Sequence, residues 1–184
     1  MFEIFVSTFV IYFVVVDPIG TAPVFITITE NLSRNLRIKV ALEGSFFAFL
    51  IMLFFAFFGM LLLTYLGISL NAFKIAGGII LLGIALEMLS SRRQDRKKSE
   101  IDRQMEGYPK SDASNLAIYP LAMPLLAGPA GITSIMIVSA DYGDSYSMLI
   151  TAYSALAAVM IVTALILGIV AVGHSYICLL YTSD

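Results

Sequence analysis

The chain has 184 residues, 59% of them hydrophobic and only 13% charged, with a formal net charge of −2 and a mean hydropathy of +0.92. Soluble domains average about 45–50% apolar and about 25% charged residues. A 20.1 kDa globule has too little interior to hide such an excess, so a soluble domain is excluded, and so is a disordered chain. A single cysteine excludes a disulfide framework and a cysteine-rich zinc site.

Five apolar stretches follow one another: about Phe2 to Thr29, Val40 to Leu66, Asn71 to Ser90, Leu116 to Ala140 and Ser147 to Val172. Each is long enough to cross a hydrocarbon core of ~30 Å as a helix. None shows the apolar–polar alternation of barrel strands. The expected fold is all-α, a polytopic membrane helical bundle. The first stretch begins Met1-Phe2-Glu3 without a basic segment and carries Asp17-Pro18 where a cleavable leader needs small residues, so it reads as a retained helix.

The basic residues predict orientation. Arg34, Arg37 and Lys39 lie between the first two stretches, and Arg92, Arg93, Arg96, Lys97, Lys98, Arg103 and Lys110 between the third and fourth; Lys74 is the only other one. By the positive-inside rule, loops 30–39 and 91–115 are cytoplasmic and the N-terminus is outside. That role accounts for the basic run, and no nucleic-acid partner is expected. Glu43 and Glu87 fall near helix ends, as interfacial residues do. Asn71 and Lys74 open the third helix, where capping and snorkelling explain them. The phenylalanine-rich patch at 46–58 reads as lipid-facing or packing surface, and Gly77, Gly78 and Gly83 as positions of close helix packing.

The first and fourth stretches share a break. A shift of 111 positions lays Pro18 on Pro129 and Gly20 on Gly131. Each cluster sits near the middle of its stretch, and the fourth also carries Pro120 and Pro124. Interior prolines remove a helix hydrogen bond, and membranes tolerate such breaks where the freed backbone is buried or lines a cavity. The first helix runs inward and the fourth outward, which makes the halves an inverted repeat of three helices plus two. Residues 1–90 form the first repeat, 91–115 a cytoplasmic basic linker, and 116–172 the second repeat. After each break the helix restarts on proline, N-capped by Asp17 in one half and by Gly128 in the other. Two half-helix N-termini meeting at mid-membrane favour an anionic group such as a carboxylate. Asp17, a carboxylate expensive to place in a bilayer, suits an ammonium, a coupling proton or a cation.

The candidate substrate-binding residues are therefore Asp17, Pro18, Gly20, Thr21, Pro23, Gly128, Pro129, Gly131 and Thr133. A bare packing kink is the alternative role of these prolines. No nucleophile–base pair, metal-ligand cluster or nucleotide loop is present: His174 and Cys178 alone do not make a metal site. Neither catalysis nor a cofactor or metal is expected.

At Asp17-Pro18-Ile19-Gly20-Thr21-Ala22-Pro23 and from Pro120 to Ile132 the chain resembles the MarC family of bacterial inner-membrane proteins, over about residues 1–172. The resemblance implies six membrane helices in two inverted halves, kinship with the LysE-type exporter superfamily, and transport of small neutral amino acids. It leaves room for a homo-oligomer in the bilayer. A sixth helix, expected at about 182–201, would fall beyond Asp184; the tail 173–184 changes character and reads as a truncated or chimeric C-terminus. The functional expectation is a transporter or exporter of a zwitterionic small molecule by alternating access, with a cation exporter of the same fold or a non-transporting membrane scaffold as rivals.

Overall fold

A computed structural model of the protein describes residues 1–30, 32–89 and 116–181. The expected linker at 91–115 and the last three residues lie outside the described residues. The described chain consists of helices α1 (Phe2–Val16), α2 (Pro18–Ile28), α3 (Arg34–Tyr65), α4 (Leu70–Leu89), α5 (Ala117–Leu126), α6 (Pro129–Asp141) and α7 (Tyr146–Tyr181). It contains no strand among the described residues. An all-α membrane helical bundle is thus what the chain forms.

Among the described residues, three runs are long and apolar enough to cross a bilayer unaided: Phe2–Ile28, made of α1 and α2 together, Arg34–Tyr65, and Tyr146–Gly173. The fourth apolar stretch is divided into pieces of 10 and 13 residues. At 1.5 Å per residue, neither piece alone reaches across ~30 Å. The third stretch forms α4, 20 residues long. At the other end, α7 stays helical to Tyr181, well into the segment expected as an atypical tail.

Helix α3 is the mast of the bundle. It packs against α5, α6 and α7; α7 also covers α1 and α2, and α4 lies on α6. The face of α3 that does this is built of small residues at helical spacing. Val40, Gly44, Ala48, Met52, Ala56, Gly59 and Leu63 are all buried. A Cβ on Gly44 would lie 2.8 Å from Leu121 Cγ and 3.2 Å from the Ala117 carbonyl oxygen, and one on Gly59 would lie 2.6 Å from Met136 Cγ. Small side chains let helices approach closely, and lipid offers no hydrophobic force that could replace the packing gained. The opposite face carries Phe46, Phe54, Phe57 and Phe58, all more than half exposed, as a lipid-facing surface should be. Of the three glycines expected to allow close packing on the third helix, only Gly77 does so, against the Thr133 side chain; Gly78 and Gly83 face open space.

Arg37 shows how the bundle is tied at the end where α2 meets α3. Its side chain is 91% buried; Nε donates to the Thr29 carbonyl at 3.0 Å and the guanidinium NH2 to the Glu30 carbonyl at 2.8 Å. These are carbonyls that the end of α2 leaves without helical partners, and a cation is favoured there. The same residue that reads as a topology charge therefore also latches α2 onto α3. Arg37→Met is expected to lower the stability of the detergent-solubilised chain by about 2–3 kcal/mol, because two charge-assisted bonds are lost and the Thr29 carbonyl is left with the Leu32 N–H alone. Arg37→Lys should recover only part of this, since a point charge cannot serve both carbonyls in the planar fork. A thermal melt of Arg37→Met that matches the parent chain would show that the latch contributes nothing.

Candidate functional site: two broken helices

The first break is a single residue wide. Asp17 adopts φ 49°, ψ 66°, the only positive φ among the described non-glycine residues. A left-handed residue costs roughly 1–2 kcal/mol, and Asp is among the few that accept it because its side chain bonds locally. Here it does so completely. The Asp17 N–H donates to the Phe13 carbonyl and closes α1, while its own carbonyl accepts from the Thr21 N–H, each at 3.0 Å. Its carboxylate Oδ1 accepts from the Gly20 N–H at 3.0 Å. Asp17 is thus the C-cap of one helix and the N-cap of the next. Pro18, at the first position of α2, has no N–H to satisfy.

Gly20 is part of this device. A Cβ there would come within 2.8 Å of Asp17 Cγ, so only glycine leaves the capping carboxylate in place. Pro18, Gly20 and Thr21 are buried; Asp17 is half-buried, and Pro23, inside α2, is exposed.

The second break is longer and built differently. Tyr119 (φ −137°, ψ 124°) and Met123 (φ −132°, ψ 124°) are extended inside α5. Each precedes a proline, Pro120 and Pro124, and the proline ring bars the preceding residue from the α region. Around Met123 the backbone is wound wide, as in the Ala127 N–H to Ala122 carbonyl bond of 2.9 Å, which spans five residues instead of four. Ala127 and Gly128 then leave the helical region before Pro129 starts α6. No side chain caps α6, so the amides of its first turn are left for another acceptor. Gly131 is buried against Met52 of α3 at ordinary contact distance: a Cβ would sit 3.5 Å from Met52 Cε. Gly128 is half-buried and Pro129 exposed. Thr133 is buried, with its hydroxyl donating to the Pro129 carbonyl at 2.8 Å and its methyl turned to Gly77.

The two breaks stand level. Helix α1 packs on α6, and α2 packs on α5. That crossed pairing is what two antiparallel broken helices give when their interruptions lie at the same depth. The halves differ in charge, however. The start of α2 already carries a carboxylate, whereas the start of α6 carries none. The start of α2 is therefore an end with a built-in negative charge, and the start of α6, at Gly128, an uncapped one.

Three polar features were not singled out by motif. Lys74, expected to snorkel, pairs with Asp141 and joins the start of α4 to the end of α6; both side chains are more than a third exposed, and such pairs contribute about 0–1 kcal/mol. Glu43 lies 3.6 Å from Lys39 through one oxygen, while its other oxygen is buried without a protein partner. The hydroxyls of Tyr12, Ser45 and Ser134 are also buried without a partner. A lone Tyr or Ser in an apolar run gives no periodic signal, so only the packed helices reveal these groups.

The model of the MarC family of integral membrane proteins matches residues 2–175. Among relatives, a UPF0056 membrane protein of Buchnera aphidicola subsp. Schizaphis graminum is 38% identical over 141 residues, covering 77% of this chain and 63% of that protein. A UPF0056 membrane protein of Archaeoglobus fulgidus is 32% identical over 173 residues, covering 94% and 75%. The UPF0056 membrane protein YvbG of Bacillus subtilis is 31% identical over 142 residues, covering 77% and 66%. The chain thus spans about two thirds to three quarters of the length of these relatives. No solved structure matches. With its helical bundle, its apolar spans and a family match over nearly its whole length, the chain belongs to the MarC family of integral membrane proteins.

Proposed function

We propose that the protein transports small neutral amino acids across a bacterial inner membrane by alternating access, with its N-terminus outside and the basic loops in the cytoplasm. It moves its solute and does not transform it. The observation that supports this reading is the asymmetry of the two breaks. A free amino acid carries one cationic and one anionic group a few ångströms apart. Asp17 suits the ammonium, and the uncapped first turn of α6, at Ala130 and Gly131, suits the carboxylate. Broken helices meeting near mid-membrane are also where transporters of inverted-repeat architecture hold their solutes. A metal cation as cargo would use Asp17 alone and leave the uncapped end of α6 without a role.

The test is counterflow in proteoliposomes containing the chain. Unlabelled glycine, alanine or serine inside should accelerate entry of labelled alanine by about tenfold over protein-free vesicles, while glutamate, lysine and divalent metal ions should not. Exchange driven equally well by metal ions would favour the cation reading, and no exchange of any kind would favour a scaffold.

A further inference from the structure

The Tyr12 hydroxyl sits inside the bundle with no hydrogen-bond partner among the described residues, although the ring is completely buried. Phenylalanine would fill the same space without orphaning a polar group, and in a membrane interior that orphan is costly. Side chains in a helix lean toward its N-terminus, so the phenol of Tyr12 extends away from Asp17 and toward the end of the bundle where α1 begins and α6 ends. Tyr142, the residue that caps the end of α6, and Tyr153 on α7 are partly buried against the same core as Tyr12, at the two helices that pack on α1 there. The Tyr153 hydroxyl lies 3.2 Å from Ser139 Oγ on α6, to which it donates. Ser139 is itself buried, and Asp141, two residues on, is exposed in its pair with Lys74. In the other direction, Asp17 is five residues from Tyr12, about 7.5 Å along the helix axis.

These residues form a polar sequence from an exposed end to the first break: Asp141, Tyr142, the Ser139–Tyr153 pair, Tyr12, Asp17. All but its two termini are uncharged hydroxyls. Such a lining suits water and small hydrogen-bonding groups, and it would not hold an ion firmly. We propose that this is a water-filled access track between α1, α6 and α7, with the Tyr12 ring as its gate and water as the partner of the Tyr12 hydroxyl. The proposal deepens the transport reading, because it names the route by which solute reaches Asp17. It can be tested without any transported solute.

The experiment is thiol labelling of the full chain in native membrane vesicles, with Cys178→Ser removing the only native thiol. Ser139→Cys is compared with Ala155→Cys, a fully buried position on α7 outside the track. A small membrane-impermeant methanethiosulfonate should modify Ser139→Cys about tenfold faster than Ala155→Cys, because only a hydrated site supports the thiolate. Adding Tyr12→Ala should leave the Ser139→Cys rate unchanged but raise about tenfold the rate at Thr21→Cys, a buried position beyond the ring, and Tyr12→Leu serves if the alanine variant does not insert. Equal, slow labelling at Ser139→Cys and Ala155→Cys would overturn the track, and a Thr21→Cys rate indifferent to Tyr12 would overturn the gate. A second readout is the melting temperature of Tyr12→Phe. If the hydroxyl bonds to water, its removal leaves the Tm unchanged or lower. A raised Tm would mean that the hydroxyl was dry and unsatisfied, and would sink the proposal. Failure of the counterflow assay with labelling intact would leave the track standing and remove only the amino-acid cargo.

Discussion

Asp17→Asn should leave the chain folded and inserted but reduce amino-acid exchange by about 100-fold or more. The structural half of this expectation follows from the cap. Asn is as good an N-cap as Asp, its amide oxygen can accept the same Gly20 N–H, and it also tolerates a left-handed backbone. What is lost is the charge at the start of α2, worth about 0.3–1 kcal/mol to the helix itself. The functional half follows from the partner. Leaving a desolvated ammonium without its counter-charge costs about 3–5 kcal/mol, and every 1.4 kcal/mol is about tenfold. Asp17→Ala is the contrasting variant: it loses the cap, at about 0.5–2 kcal/mol, and still has to hold the left-handed conformation, so it should fall in stability as well as in flux. The measurements are counterflow and a detergent melt on the same preparations. Parental exchange by Asp17→Asn would reduce Asp17 to a helix cap.

Much of this site is legible in the sequence, because proline and glycine act locally. Pro18 and Pro129 mark where a helix restarts, and Asp before Pro in an apolar run reads as an N-cap. The outward phenylalanines of α3 are likewise legible as a lipid-facing or packing surface, whereas the small residues opposite them are told from other apolar positions only by the helices packed there. What stayed hidden depends on partners distant in sequence. Arg37 reads as one more loop charge until the end of α2 brings the Thr29 and Glu30 carbonyls to its guanidinium. The extended Tyr119 and Met123 follow from the prolines after them, but the wide winding between depends on how the freed backbone pairs. The unequal ends of α2 and α6 are half legible: Asp17 against Gly128 marks one charged cap and one bare one, whereas the seating of the Asp17 carboxylate on the Gly20 N–H needs the folded turn. The hydroxyls of Tyr12 and Ser134 belong to the same class, since a buried orphan is defined by neighbours that the chain order does not name.

That asymmetry separates the two glycines matched by the repeat. Gly20→Ala places a Cβ within 2.8 Å of Asp17 Cγ and 2.9 Å of Oδ1, so the carboxylate must swing away and release the Gly20 N–H. The lost cap costs about 0.5–2 kcal/mol, and the better helix propensity of alanine returns at most about 1 kcal/mol. Stability should change little or fall modestly, while exchange should drop by about 100-fold, because a catalytic or binding group displaced by about 1 Å loses that much. Gly131→Ala meets only ordinary contacts, 3.5 Å to Met52 Cε and 3.6 Å to the Leu126 carbonyl oxygen. It should melt at or above the parental temperature, since alanine gains about 1 kcal/mol over glycine within a helix. Its effect should appear in KM instead, raised about tenfold with little change in maximal rate, as the added methyl crowds a carboxylate approaching the amides of α6. The pair of variants therefore divides the site by mechanism: one glycine protects the position of a charge, the other leaves room for the solute. If Gly131→Ala changes neither KM nor stability, the start of α6 does not hold the carboxylate, and the Asp17 end must recognise the solute alone.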